Sequence, residues 1–507
     1  MFEAVARPSD YIAVIDIGSN SVRLVVFSGL RRVPDSIFNE KLMCGLGGEV
    51  GTTGLMGEKA MHMALSTLKR FRALCHQMKI DQIIVIATAA VRDAKNGPAF
   101  VAKVKEECGL EITTIDGVEE GRLSGLGVLS GEPAATGIMG DLGGGSLELA
   151  RLEKGAVGET ISLPIGPLRL MSQFGGNRRH IKRFLRDELR KIEWLSENPG
   201  QNLYLVGGAW RNIAKLMMRE KSNPLPILQG YKSSRAEFTN YCKRLSRLQA
   251  GDIPFASSLP SRRREVVPVA AIILMEVLAI MKAKSAVVST YGLREGLVFD
   301  RLEQEERRLD PFLFSCHVLA TERSRFPEHA GVIYDWTRPL FWHKVADPAH
   351  REKMHKAICL LGDIAWRGHP DFRAEKAVET ALHGHFVGLS HRDRAYMAVA
   401  LNQAYGAAID MSHVAHILPL LKINEILEAR MMGAALRLAQ RLSGGAVVAL
   451  TVSRLRVTKS EVFLGVPKAY KDIANDVVLK RLSQLTQLMG RRGVIEFLAK
   501  DELAVVG

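Results

Sequence analysis

Residues 140–150 read Gly-Asp-Leu-Gly-Gly-Gly-Ser-Leu-Glu-Leu-Ala. Gly143, Gly144, Gly145 and Ser146 present closely spaced backbone N–H groups, a common way of holding a phosphate. Asp141 and Glu148 flank them, and carboxylates repel phosphate unless a hard cation lies between. Mg²⁺ takes oxygen ligands, uses few protein carboxylates and keeps the rest of its shell for water and substrate phosphate. The residue types therefore imply an ion held by the acids and a phosphate held by the ion and the loop amides.

The pattern has a second copy. Residues 14–27, "VIDIGSNSVRLVVF", and 139–152, "MGDLGGGSLELARL", share Asp-[Ile/Leu]-Gly-x-x-Ser-x-x-Leu. Asp16 aligns with Asp141, Gly18 with Gly143 and Ser21 with Ser146. Each copy predicts a strand, a tight turn and a strand, with amides exposed at the turn. Two such hairpins, opening two successive α/β segments, imply a duplicated fold with a cleft between its halves. Asp16, Asp141 and Glu148 are expected to converge there on the metal.

Two further segments carry candidate chemistry. Glu119 and Glu120 open a predicted helix just after a strand end, where α/β folds place reactive groups. Consecutive helical positions point about 100° apart, so one of the two faces the cleft, and the spacing leaves open which. A carboxylate there accepts a proton from an attacking water. In "ATAAVRDAKNG" (87–97), Thr88, Arg92 and Asn96 fall at i, i+4, i+8 and are expected along one helix face, with Arg92 neutralising charge on a transferring phosphoryl group.

These residues need a frame. Strand signals at 80–88 and 110–116 alternate with helical ones, and 201–218 and 285–300 each read as strand, turn and helix, which argues for α/β layers. A mixed-charge run, "RLEQEERRLD" (301–310), carries no strand signal. Beyond it the pattern turns helical, and ten of the fourteen histidines lie between His329 and His416. After 443–445 the sequence predicts a small hairpin followed by a helix. The expected domains are 1–133 and 134–310, both α/β, a helical 311–440 and a small α/β 441–507.

Composition narrows the partners. The 507 residues carry a net charge of +15, which favours a polyanionic partner. No charged n-region followed by an apolar core opens the chain, so no signal peptide is expected. The apolar run 266–281 is short for a membrane span and contains Glu276, so it reads as a buried helix. Six cysteines without CxxC pairs fit a reduced, cytoplasmic setting and give no zinc signature.

With the motifs in view, the chain resembles the exopolyphosphatase/guanosine pentaphosphate phosphohydrolase family. "AVIDIGSNSVRLVV", "ATAAVRDAKNG", "VEEGRLSGLGV", "GDLGGGSLELA", "LVGGAWRNIAKL" and "STYGLREGLVFD" occur in the family's order, over about residues 1–300. The resemblance implies duplicated actin/hexokinase-like (ribonuclease H-like) domains, then an α-helical HD-like domain and a small α/β C-terminal domain. It implies Mg²⁺-dependent hydrolysis of the terminal phosphoanhydride of inorganic polyphosphate, with a monovalent cation such as K⁺ as a further cofactor. The alternative is guanosine pentaphosphate hydrolysis by the same machinery. The general base falls on Glu120, and the family arginine on Arg92. Metal and phosphate groups fall on Asp16, Ser19, Asn20, Ser21, Asp141, Gly143, Gly144, Gly145, Ser146 and Glu148. Arg23 and Arg263 stand where members that bind guanosine tetraphosphate use arginines. A homodimer without nucleic acid is expected.

Some positions depart from the family. Residues 116–118 read Asp-Gly-Val instead of Ser-Gly-x. Trp210 stands in place of the common Thr after Gly207-Gly208 and is expected to alter the pocket where related kinases hold a nucleotide. A sugar or acetate kinase, or a sensor of guanosine tetraphosphate without turnover, fits these residues less well. The helical region lacks a His-Asp doublet, with Gly362-Asp363 in its place. A second catalytic metal is therefore not expected, and its histidines read as structural or polyanion-contacting. Basic segments 178–191 and 261–264 are candidate rails for a long polyanion.

Overall fold

The computed structural model describes residues 10–341, 346–406 and 411–499. The chain forms two compact units that divide between Pro311 and Phe312. The outermost residues of the first and last expected domains, 1–9 and 500–507, and His343 lie outside the described residues.

The first unit is built on two sheets. One contains β1 (Ile12–Ile17), β2 (Val22–Phe27), β3 (Ser36–Leu42), β4 (Gln82–Ala87) and β5 (Ile112–Thr114), in the order β3-β2-β1-β4-β5. The other contains β6 (Gly137–Leu142), β7 (Leu147–Glu153), β8 (Ala156–Leu163), β9 (Asn202–Val206), β10 (Lys232–Ser234) and β11 (Ser285–Val288), ordered β10-β11-β9-β6-β7-β8. Five strands of the second repeat the first in topology: an antiparallel β6-β7-β8 meander beside parallel β9 and β11. Only β10 has no counterpart. This is the duplicated α/β architecture of the actin/hexokinase-like fold.

Side-chain alternation explains where the acids point. β1 is apolar and β-branched enough to be buried on both faces. Ala13, Ile15 and Ile17 pack with Leu68 and Phe71 of the Glu58–Gln77 helix. Ile12 and Val14 pack on the opposite face with Leu123 and Leu297. Asp16 follows the even positions, so it emerges toward the helices Gly117–Gly131 and Leu293–Phe299. In β6, Met139 lies with Val128 and Leu129 of the Gly117–Gly131 helix, and Asp141 shares its face. One helix between two sheets thus receives both aspartates.

The long apolar run forms the Ser261–Ile280 helix. Its Glu276, 3% exposed, accepts from Arg186 Nε at 2.6 Å and lies 3.5 Å from Lys182 Nζ. Two cations of the basic Arg178–Arg190 helix are therefore engaged with a buried acid. Among the described residues no helix is long and apolar enough to cross a membrane. All six cysteines are free and buried.

The second unit is helical from Pro311–Arg323 to Ile423–Ser443 and ends on β12 (Arg454–Val457), β13 (Glu461–Pro467) and β14 (Arg492–Leu498). The expected hairpin is β12-β13, and the expected helix is Asp476–Leu488. Two elements differ from expectation. Val447–Thr451 is a helical turn despite its β-branched residues, because burial of Ala449 and Leu450 overrides local propensity. The final β14, parallel to β13, extends the hairpin to three strands.

Candidate active site

The two look-alike hairpins have the same turn. Gly18 N–H donates to Ser21 O and Gly143 N–H to Ser146 O, both at 3.1 Å. Asp16 lies opposite Arg23 in one ladder and Asp141 opposite Glu148 in the other. None of Gly18, Gly143, Gly144 and Gly145 takes a positive φ; their use is close approach. A Cβ on Gly145 would lie 3.6 Å from Ser19 Oγ, and one on Gly144 would lie 3.9 Å from Ser19 Cβ. The loops therefore face each other. Gly47 N–H braces the first through Ser19 O at 2.7 Å, and Gly166 N–H the second through Gly145 O at 3.1 Å.

Between them opens a cleft of about 610 Å³. Asp16, Ser19, Asn20, Ser21, Arg23, Glu120, Asp141, Gly143, Gly144, Gly145, Ser146 and Arg263 all line it. Glu148 and Arg92 are not among its walls.

The Glu-Glu pair divides cleanly. Asp116 caps the Gly117–Gly131 helix by accepting from Glu119 N–H at 2.7 Å. Glu119 turns to Arg122, which donates to both its oxygens at 2.7 and 2.8 Å and reaches Asp300 at 2.8 Å. Glu120 turns to the cleft, with Arg92 Nη1 3.7 Å from its Oε2. Burial, then the negative charges of Glu148, Asp141 and Asp16, hold the Glu120 carboxyl well above the usual carboxylate range; Arg92 opposes this.

Asp141 accepts from Ser124 Oγ at 2.7 Å, and burial raises it. Asp16 accepts from Arg294 Nη1 at 3.2 Å. Glu148, 1% exposed, accepts from Ser162 Oγ at 2.8 Å, and burial followed by Asp141 raises it. The expected three-acid cage is not assembled: among the described residues no three His, Cys, Asp or Glu side chains converge enough to hold an ion. The ladder places Glu148 beside Asp141, but its carboxylate is drawn back to Ser162 of β8 and Asp16 is drawn to Arg294. A divalent ion still fits the donor chemistry. Glu120 Oε2 and Glu148 Oε2 are buried without a hydrogen bond, a costly state for anionic oxygens that a cation relieves. One or two carboxylates suffice for Mg²⁺ when water and phosphate complete the shell.

Three expectations are corrected. Thr88, Arg92 and Asn96 do not share a helix face. The helix Ala89–Asp93 ends at extended Ala94, and a new one starts at Gly97. Pro98 stands in the first turn of that new helix, where its missing N–H costs nothing, and Asn96 brackets the Met56 backbone with two 2.9 Å hydrogen bonds. Arg92 donates to Asp93 Oδ1 at 3.1 Å and Ile115 O at 3.3 Å, so it attends the acid and not the cleft. Trp210 does not line the cleft: it is fully buried, donates to Ala270 O at 3.2 Å and packs over Gly140.

The cations missed by spacing are Lys41, Arg211, Lys215 and Arg294. Lys41 pairs across the ladder with Arg23. It keeps exposed surface, yet partial desolvation and then the charges of Arg263 and Arg23 pull it down to about 8. Burial and then Arg294 bring Arg23 to about 10. Arg211 follows the tight strand-to-helix turn at Gly207, whose φ of 92° and a Cβ position 2.4 Å from Leu142 O both demand glycine. Six cations, Arg23, Lys41, Arg211, Lys215, Arg263 and Arg294, thus line the cleft together with the paired amide loops and the acids.

Two topologically matched sheets, with facing hairpin loops and acids at their tips, define an actin/hexokinase-like α/β protein. The sequence profile of the Ppx/GppA phosphatase family matches residues 25–305, and that of the exopolyphosphatase C-terminal region matches 312–497. The chain belongs to the Ppx/GppA phosphatase family and is a hydrolase of that class. Among relatives, Exopolyphosphatase 1 of Mycobacterium leprae is 26% identical, over 58% of this chain and 90% of its own. Retrograde regulation protein 2 of Saccharomyces cerevisiae is 26% identical over 81% and 75%. A crystal structure of an exopolyphosphatase from Cytophaga hutchinsonii is 26% identical, with a TM-score of 0.52, covering 57% of this chain and 96% of that one.

Proposed function

We propose that the chain is a cytoplasmic exopolyphosphatase that removes terminal orthophosphate from inorganic polyphosphate with Mg²⁺. The observation that carries this reading is the buried Glu120 carboxylate, lining a cleft whose two hairpin loops face each other. Asp16 and Asp141 would hold the ion. When bound, Mg²⁺ supplies positive charge that keeps the carboxylates ionised and offsets the negative charge of the phosphate oxygens. Backbone amides at 19–21 and 144–146 hold the terminal phosphoryl group, and Arg294 meets its equatorial charge. Glu120 takes a proton from water as the water oxygen bonds to phosphorus; the bridging P–O bond breaks, and the shortened chain leaves with its electron pair. Arg92 acts as a positioning residue for Glu120. Arg23, Lys41 and Arg263 hold the following phosphates.

General-base assistance contributes about 10²–10⁴-fold. Glu120→Gln is expected to cut kcat by that factor on long-chain polyphosphate while KM stays near wild type. Wild-type turnover in Glu120→Gln, or full activity under exhaustive chelation, overturns the reading. Kinetics on guanosine pentaphosphate beside polyphosphate decide the preferred leaving group.

A further inference from the structure

The second unit contains its own cavity, of about 380 Å³, within the range of about 300–1,000 Å³ typical of small-molecule sites. Four guanidiniums line it, from Arg325, Arg373, Arg437 and Arg441, against one carboxylate, Asp363. That carboxylate is already engaged. Arg325 donates to it from Nη2 at 2.6 Å and from its backbone N–H at 2.9 Å. Arg373 donates Nε to Gly368 O at 3.0 Å, leaving the rest of its fork. Arg437 has no hydrogen-bonding or acidic partner among the described residues. Burial and then the neighbouring Arg481 and Arg441 lower it to about 10. Both of those neighbouring charges are positive.

A second observation also points inward. His329 lines the cavity, is 6% exposed, and its Nε2 is buried with no hydrogen-bond partner. A buried polar atom left alone is costly. The site lacks the donors for a metal, since Asp363 is bound to Arg325 and among the described residues no three ligating side chains converge. It has the donors for an anion. Guanidinium forks match phosphate oxygens in pairs, and an imidazole N–H adds one more.

We propose that this cavity binds a compact, multiply charged phosphorylated anion, held by Arg437, Arg441, Arg373 and His329. The source is a short inorganic phosphate chain or the phosphate chain of a nucleotide. Trp366 and Phe326 also line the cavity, and a base would stack on them. The site is separate from the catalytic cleft and does not depend on the substrate assigned to it.

The test is hydrogen–deuterium exchange on the full chain in chelator, with inorganic tripolyphosphate, ATP and sulfate as separate probes. Tripolyphosphate or ATP is expected to protect 324–330 and 437–445, and the stronger of the two identifies the source. Arg437→Met/Arg441→Met is expected to raise the Kd of that protection by about tenfold for each charge removed. Polyphosphate hydrolysis at the cleft should keep its wild-type kcat. Absence of protection in the wild type overturns the site, as does equal protection by sulfate, which marks an adventitious ion only. Undiminished protection in the double variant, folded by circular dichroism, does the same.

Discussion

At the scale of single residues, the acids of the cleft differ in what holds them: Asp16 accepts from Arg294, Asp141 accepts from Ser124, and Glu120 Oε2 accepts from nothing among the described residues. Asp16 and Asp141 could be aligned because each precedes a glycine turn of the same length, and backbone geometry makes that spacing legible. Glu119 and Glu120 could not be told apart, because adjacency gives two directions and no partner. The partners decide: Arg122, itself anchored by Asp300, holds Glu119, and Arg92 attends Glu120. Arg294 and Arg211 come from strand-to-helix turns far along the chain, so no local spacing tied them to Asp16. The division predicts that Glu119→Gln keeps kcat within about threefold of wild type. Its half-exposed ion pair should cost no more than about 1 kcal/mol of stability. Steady-state kinetics with a denaturant titration check both. A kcat loss as large as that of Glu120→Gln would mean that the two acids act together.

At the scale of elements, one helix organises the site. Gly117–Gly131 lies between the sheets, carries Glu120 at its first turn and Ser124 against Asp141, and crosses Leu293–Phe299, which carries Arg294. The crossing is backbone against backbone. A Cβ on Gly296 would fall 1.8 Å from Leu123 O, and one on Gly127 would fall 2.1 Å from Gly292 O. The glycines of "GRLSGLGV" and "GLREG" were visible in the sequence, but not that they meet. The C-terminal strand β14 was missed for a related reason: its pairing with β13 is set across an intervening helix. Gly296→Ala must push the helices apart, and overpacking of this kind costs about 1–3 kcal/mol. We expect a lower Tm together with a fall in kcat, because Glu120 and Arg294 move with their helices. Gly331→Ala, where the added methyl meets nothing within 4 Å, serves as the control for a helical glycine. A Gly296→Ala protein with unchanged Tm and kcat would refute the tight crossing.

At the scale of the whole molecule, the mixed-charge run 301–310 ends where the two units divide, so the change of architecture was legible in composition. What the histidines of the second unit do was not, because burial is a property of packing. His355 is 5% exposed, bonded to Thr337 Oγ1 at 2.8 Å, and between the rings of Tyr334 and Phe341, each 5.0 Å away. Burial, then the charge of Arg351, lowers it to about 4, with Glu352 opposing. Its neutral form therefore contributes stability that is complete above the unfolded value of about 6.5 and is lost as pH falls toward 4. The full difference is roughly 3 kcal/mol. Buried His329 is lowered in the same direction. His350 runs the other way: Asp393, 2.9 Å from it, raises it. That contribution is complete below about 6.5 and lost as pH rises through the raised value. The second unit should thus be most stable near neutrality and weaken on the acid side. In calorimetry of the full chain from about pH 7 to about pH 4.5, one transition should fall steeply in the wild type. It should fall less in His355→Gln, which keeps a hydrogen-bonding group for Thr337 without a titrating one. Equal acid sensitivity in both proteins would remove His355 as the cause and leave His329 or the carboxylates to carry it.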